Sequence, residues 1–342
     1  MHGTRKTSIL RRSTALLLAI LLGLSLSVQT GWAQDGGRQL IPMGRAVGIK
    51  LFADGVLVVA LSELDGGRRS PAEDCGLKEG DLILRINGET IRSTEHLQSV
   101  LQESGGQRLT LSVRRGGSTS AVETCAMLCG DGVYRLGVWI RDSMAGVGTL
   151  TFYDPDTGLY GALGHGITDV DTHVLMPLSA GSITETTVRA VKKGQRGEPG
   201  ELRGDFSAWR DVGTVSANTD AGIFGVAEEG AFPDAGEAIP VAEPREVRPG
   251  PATILCTVSG DRTESYEVEI VRLCPGGKDM RDLLLQVTDR RLLDVTGGIV
   301  QGMSGSPIIQ EGKLVGAVTH VMINDPSRGY GILLDNMLKM AG

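Results

Sequence analysis

Thr296-Gly297-Gly298-Ile299-Val300-Gln301-Gly302-Met303-Ser304-Gly305-Ser306-Pro307-Ile308-Ile309 orders the reading of the whole chain. A serine inside a glycine-rich turn, followed by Ser-Pro and an apolar run, has the makings of an exposed nucleophile. Its hydroxyl must stand on a sharp bend. The backbone N–H groups beside it must face the oxygen that turns negative when a carbonyl is attacked. Gly302 and Ser304 are the residues whose N–H groups would do this. Downstream, Ile308-Ile309 and Leu314-Val315-Gly316-Ala317-Val318 read as two strands joined by the turn Gln310-Glu311-Gly312-Lys313.

Serine is a weak nucleophile at neutral pH and needs a base beside it. His165 sits between glycines in Gly161-Ala162-Leu163-Gly164-His165-Gly166-Ile167-Thr168-Asp169. Strand-like Gly148–Tyr153 and the turn Asp154-Pro155-Asp156-Thr157-Gly158 precede it. His173 lacks glycine neighbours, His320 follows the serine in the chain, and His2 and His96 lie outside this region. The G-x-S-G-S-P turn with its hairpin resembles the nucleophile turn of chymotrypsin-like serine peptidases, and the order His then Ser matches theirs. The resemblance implies a double β-barrel, His165 as general base and an oxyanion hole at Gly302 and Ser304. A carboxylate orienting the base belongs between His165 and Ser304. Asp220 in Asn218-Thr219-Asp220-Ala221-Gly222 satisfies this by spacing, and Asp169 and Asp171 are near enough in the chain to orient His165 locally.

Ahead of this region, Ser70-Pro71-Ala72-Glu73-Asp74-Cys75-Gly76-Leu77-Lys78-Glu79-Gly80-Asp81-Leu82-Ile83-Leu84-Arg85-Ile86-Asn87-Gly88-Glu89 reads as a short helix opened by Ser-Pro and closed by Gly76. A strand and an Asn-Gly hairpin turn follow. Thr94 to Glu103 reads as a helix with Leu97, Val100 and Leu101 on one face, and Gln107 to Arg115 as a closing strand. Residues 40–118 therefore resemble a bacterial PDZ domain, which binds a peptide as an added strand. The resemblance implies that Val47-Gly48-Ile49-Lys50 is the loop whose N–H groups receive the peptide. The serine peptidase domain would then occupy residues 119–342, and the whole would be mostly β with short helices.

At the N-terminus, Arg5, Lys6, Arg11 and Arg12 precede an apolar run from Ala15 to Val28, and Gly31-Trp32-Ala33 follows. Basic head, apolar middle and small-residue exit describe a secretory signal, cleaved or kept as a membrane anchor, over residues 1–33. Residues 34–39 form a polar linker. Export across the cytoplasmic membrane is expected, with membrane contact only through this segment. Glycine makes up 49 of 342 residues, against 13 prolines and 4% aromatics. With 41% hydrophobic residues and no G-X-Y period, collagen and disorder are excluded, and a turn-rich β fold is favoured. A net charge of -7 leaves no footprint for nucleic acid. The five cysteines cannot all pair, and Cys125 and Cys129 have no histidine near enough to suggest a zinc site. No metal or cofactor is called for.

Taken in order, the leader, the PDZ-like segment, Ala162–Asp169, Asn218–Gly225 and Thr296–Gln310 resemble the stage IV sporulation protein B family, signalling serine peptidases of endospore formers. The resemblance implies a catalytic pair of His165 and Ser304, with Asp289 in Val287-Thr288-Asp289-Arg290-Arg291 as the third member; Asp220 is the runner-up from spacing alone. It also implies protein substrates: the chain itself, and a membrane-anchored regulator of an intramembrane protease that processes the sigma-K precursor, in the space around the forespore. Two other readings are a non-catalytic PDZ adaptor and an HtrA-like quality-control protease. The HtrA-like enzymes carry PDZ after the peptidase domain rather than before it, and read GNSGGP where this chain has GMSGSP.

Overall fold

Glu264-Ser265-Tyr266-Glu267-Val268-Glu269-Ile270 alternates polar and apolar residues, as a strand with one wet face must. The computed structural model describes residues 37–67, 69–205, 210–274 and 280–341; the leader and the first half of the linker lie outside them. In it, Glu264–Leu273 is a strand that buries Tyr266, Val268 and Ile270 and exposes Glu267 and Glu269. It pairs with Gly250–Cys256 and Leu283–Val287, and the ring continues through Arg328–Leu333, Lys313–Val321 and Pro307–Gln310 back to Gly250–Cys256. The result is a closed six-stranded barrel filled by Ile254, Val268, Ile270, Leu285, Ile308 and Val318. The expected hairpin after Ser304 forms two of its staves. Cys256 lies in this core as a small apolar residue, and burial pushes its thiol pKa upward.

A second ring of six strands precedes it. Ala46–Leu61 pairs with Val138–Tyr153 on one side and Ala180–Glu185 on the other. Asp211–Thr219, Gly222–Ala227 and Leu159–Ala162 complete the circuit back to Val138–Tyr153. Ile49, Leu51, Leu150, Tyr160, Ile183 and Ile223 fill the interior. The fold is thus mostly β, with four short helices among the described residues and the expected pair of barrels.

The PDZ-like module does not precede the barrels as a separate bead. It is inserted between the first and second staves of the first barrel. At Asp54-Gly55 the long strand leaves the barrel through a bulge, where Gly55 has φ +123° and a Cβ would lie 2.6 Å from Ile83 O. Beyond it, Val56–Leu57 pairs with Leu82–Ile83, and the sheet continues through Arg108–Arg115 to Ser118–Cys125. The helices Pro71–Asp74 and Thr94–Glu103 cover a core of Val56, Val58, Leu77, Ile83, Leu97 and Leu111. Ser70 and Ser93 cap these helices, and Asn87-Gly88 makes the hairpin turn with both φ angles positive. The chain returns along Val138–Arg141, which pairs with Leu57–Leu61, and runs straight on into the barrel. The expected division at residue 118 is therefore corrected. Residues 46–53 belong to the first barrel, and the module's last strand is shared with it.

The sequence expectation for Asp289 also changes. Its side chain caps the helix Arg290–Thr296, accepting the Arg291 N–H at 2.8 Å and the Glu267 N–H at 3.3 Å, and it pairs with the Arg291 guanidinium at 2.7 Å. Arg291 holds its pKa below the usual carboxylate range. Engaged in this way, the carboxylate caps a helix, and it is not among the residues lining the cleft that holds His165 and Ser304. Asp289→Ala should lower unfolding stability in urea by about 1 kcal/mol, the usual worth of an N-cap. Asp289→Asn, which can still cap, should keep both fold and activity. Lost activity at unchanged stability would return Asp289 to the catalytic site.

Candidate active site

Strand Leu159–Ala162 ends in a corner where Leu163 (φ +70°) and Gly164 (φ +69°) are both left-handed. A left-handed leucine is strained, and it holds only because Leu163 N–H donates to Thr149 O at 3.2 Å and its side chain is buried. The corner delivers His165 to the seam between the barrels. Its Nδ1 lies 2.9 Å from Gly166 O. Donation from Nδ1 to this carbonyl leaves Nε2 with a lone pair, the form a general base needs. Burial is the main influence on the ring and pulls its pKa below the ordinary imidazole value, with the Gly166 contact opposing weakly.

The segment after His165 is held by a residue that the sequence reading did not single out. Asn218 accepts the Ile167 N–H through Oδ1 and donates through Nδ2 to Ile167 O and Met176 O, each at 2.9 Å. An Asn near a strand end gives no sequence signal of this. Asp220 stands two residues on, exposed in the turn joining Asp211–Thr219 to Gly222–Ala227. It lines the same cleft as His165 and Ser304. Asp169 and Asp171 do not serve His165. Asp169 is buried and contacts Arg141 while accepting from Thr172 and from Asp171 N–H, and Asp171 pairs with Arg141 at 3.2 Å. His173 accompanies them in that turn, its N–H bonded to Asp169 O.

Ser304 comes from the other barrel, on the turn leading into Pro307–Gln310. Its Oγ donates to Thr319 O at 2.7 Å, and its carbonyl accepts the Thr149 N–H at 3.0 Å. The N–H groups of Gly302 and Ser304 donate to no other group among the described residues, and both residues line the cleft. Two unspent amides beside a hydroxyl are what an oxyanion requires. His320, set aside on chain order, lies in the same place, with its ring centroid 5.0 Å from that of His165. The cleft has a volume of about 860 Å3, and Ile299, Val300, Val321 and Ile323 give it an apolar wall.

Val47-Gly48-Ile49-Lys50 is not a peptide-receiving loop. Each of the four residues pairs with Gly148–Ala145 on one side and with Glu185–Ser182 on the other, so neither edge is open. A groove of about 660 Å3 lies instead between helix Thr94–Glu103, through Leu97, Gln98 and Leu101, and the run Leu136-Gly137-Val138-Trp139-Ile140. Gln98 Nε2 donates to Tyr134 O at 3.0 Å, tying the helix to the chain just ahead of that run.

Comparison with known proteins agrees with both halves of this description. The SpoIVB peptidase S55 family pattern matches residues 132–338, and a PDZ pattern matches 65–115. A Clostridium perfringens protein provisionally named a zinc metalloprotease is 21% identical over 122 residues, which is 36% of this chain and 29% of that relative's length. The PDZ domain of an SdrC-like protein from Listeria monocytogenes is similar at 24% identity and a TM-score of 0.22, over 25% of this chain and 87% of that one. The Rv3671c protease in its inactive form is similar at 17% identity and a TM-score of 0.30, over 58% of this chain and 85% of that one. The S55 match takes in His165, Asp220, Asp289 and Ser304, and the chain belongs to the SpoIVB peptidase S55 family of serine endopeptidases.

Proposed function

We propose that this protein is an exported endopeptidase in which Ser304 attacks a peptide carbonyl and His165 takes its proton. The carrying observation is that Ser304, His165 and the unspent amides of Gly302 and Ser304 share one cleft. In the resting arrangement the Ser304 hydroxyl is held by Thr319 O. Rotation about its side-chain bond releases that contact and turns Oγ toward Nε2 of His165. Attack forms a tetrahedral intermediate whose oxyanion the two amides accept. Collapse passes the proton to the leaving amine and leaves an acyl-enzyme, which water hydrolyses by the same steps. Asp220, which lines the same cleft, is the carboxylate this reading assigns to steadying the imidazolium, with Gly166 O holding Nδ1.

The leader and the family resemblance support a finer reading. The enzyme acts outside the cytoplasmic membrane by limited cleavage of itself and of a membrane-anchored regulator, whose cutting frees an intramembrane protease to process the sigma-K precursor. The groove beside Thr94–Glu103 recruits an extended peptide segment. Incubation of the purified protein with the regulator's ectodomain tests this, and an ectodomain left intact would count against it.

The catalytic reading is tested by a fluorophosphonate probe. Labelling is expected in the wild type and should vanish in Ser304→Ala. Persistent labelling of the variant would place the nucleophile elsewhere. Because Gly166 O already holds Nδ1, Asp220→Asn should cost less than the ~10⁴-fold typical of a triad carboxylate, on the order of 10² in kcat with KM little changed. Burial disfavours the imidazolium, so His165 stays neutral, and competent as a base, below the ordinary imidazole pKa of about 6.5. The labelling rate should therefore hold through neutral pH and fall only below that value. A fall already midway at pH 7 or higher would contradict the buried base.

A further inference from the structure

The strand Val138–Tyr153 serves both sites. One of its edges is filled along its length, Val138–Arg141 by Leu57–Leu61 and Ser143–Thr149 by Ala46–Phe52. The other edge pairs with Leu159–Ala162 only from Leu150 onward. Just before that point, Thr149 N–H donates to Ser304 O at 3.0 Å and Thr149 O accepts the Leu163 N–H. From Val138 to Gly148, no strand among the described residues pairs with this second edge. An open edge of this kind is a template for an added strand. Helix Thr94–Glu103 roofs it at Val138–Ile140, making the PDZ groove, and at Met144–Val147 it lines the cleft that holds Ser304 and His165. Midway, the Asp142 carboxylate accepts the Thr94 N–H at 2.8 Å, and Arg141 is bound to Asp169 and Asp171. These contacts pin the helix and the barrel loop to the same stretch of strand, so groove and cleft keep a fixed separation. Trp139, 66% exposed, stands on this strand at the groove.

We propose that groove and cleft are two stretches of one substrate track, and that the enzyme cuts about ten residues upstream of the C-terminal end that its PDZ groove holds. The proposal rests on the catalytic reading above. The direction follows from strand polarity. A segment held in a PDZ groove lies antiparallel to the groove strand, its C-terminal end toward the loop that begins it, here Leu136-Gly137. A chain laid antiparallel along this edge therefore meets the cleft first and the groove afterwards, so the groove holds residues C-terminal to the scissile bond. The distance follows from strand geometry: Val138 to Gly148 spans about ten residues at ~3.4 Å each, roughly 34 Å. A substrate long enough to reach both stretches is bound at two points at once, and gains affinity through effective concentration without any new contact.

The test uses the full-length protein and a mixture of peptides made by cutting a bacterial lysate with a glutamate-specific protease, with new termini mapped by mass spectrometry. Distances from new cuts to the peptide C-terminus should peak near ten residues. Peptides offering fewer than six residues downstream should be cut at least tenfold more slowly. Gln98→Trp, which fills the groove, and the milder Trp139→Ala, which trims its wall, should flatten the peak. A flat distribution in a wild type that still labels with fluorophosphonate would overturn the track and leave the catalytic reading standing. A peak that survives both groove variants would also overturn it, because the cleft alone would then set the distance. Absence of both cutting and labelling would overturn the catalytic reading, and the track with it.

Discussion

The two barrels meet at Gly305, and the site depends on how closely they do so. A Cβ at this position would lie 2.0 Å from Thr149 O and 2.5 Å from Leu163 N, distances no side chain survives. Gly305 lets the nucleophile turn rest directly on the backbone that delivers His165. The bond from Thr149 N–H to Ser304 O and the bond from Thr149 Oγ1 to Gly302 O at 2.7 Å tie the same two segments together. On the opposite flank, a Cβ at Gly164 would lie only 3.0 to 3.4 Å from Thr319, Ala317 and Ile332, so the fit there is tight as well. Base and nucleophile come from different barrels, so their separation is set by this seam rather than by either barrel alone.

The nucleophile turn is buttressed from a third direction. The hairpin of Thr187–Lys192 and Glu201–Asp205 reaches out of the first barrel onto the second. Gly194 N–H donates to Thr296 O, Gln301 N–H to Gly200 O, and Leu202 N–H to Gln301 O. The charged, glycine-rich run Lys192–Gly204 is thus stitched to the residues that lead into the oxyanion amides. Its charge is still solvent-facing at Lys192, Arg196 and Glu198, while Gly194 and Gly200 are buried where the backbones touch. Those two glycines are there for close approach, and their neighbours for solvation.

Local chemistry made much of the chain legible. The helix opened by Ser70-Pro71, the Asn87-Gly88 turn and the helix Thr94–Glu103 appear where their residues point. Each depends on partners a few positions away, so composition at short range suffices. His165 and Ser304 were legible for the same reason, since flanking glycines mark backbone that must turn sharply or lie close to another chain segment. The third carboxylate was not. Asp289, Asp220, Asp169 and Asp171 are equivalent as short acidic residues near turns, and only their hydrogen-bond partners separate a helix cap, an arginine partner and a residue on the cleft.

The peptide groove shows the same limit more sharply. Val47-Gly48-Ile49-Lys50 and Leu136-Gly137-Val138-Trp139 are both short apolar runs around a glycine, and nothing within either run says which has a free edge. That is decided by pairing across long stretches of chain: the first run is closed in by Gly148–Ala145 and Glu185–Ser182, and the second is left open on the side facing Leu97 and Leu101. The sequence by itself determined two β-rich parts, a serine nucleophile on a glycine turn and a histidine to serve it, because turns, caps and alternation are short-range properties. Only the tertiary structure decided that one part is inserted within the other, which strand edge is open and which acid faces the cleft. These follow from the closure and register of the strands, and no local stretch of residues encodes them.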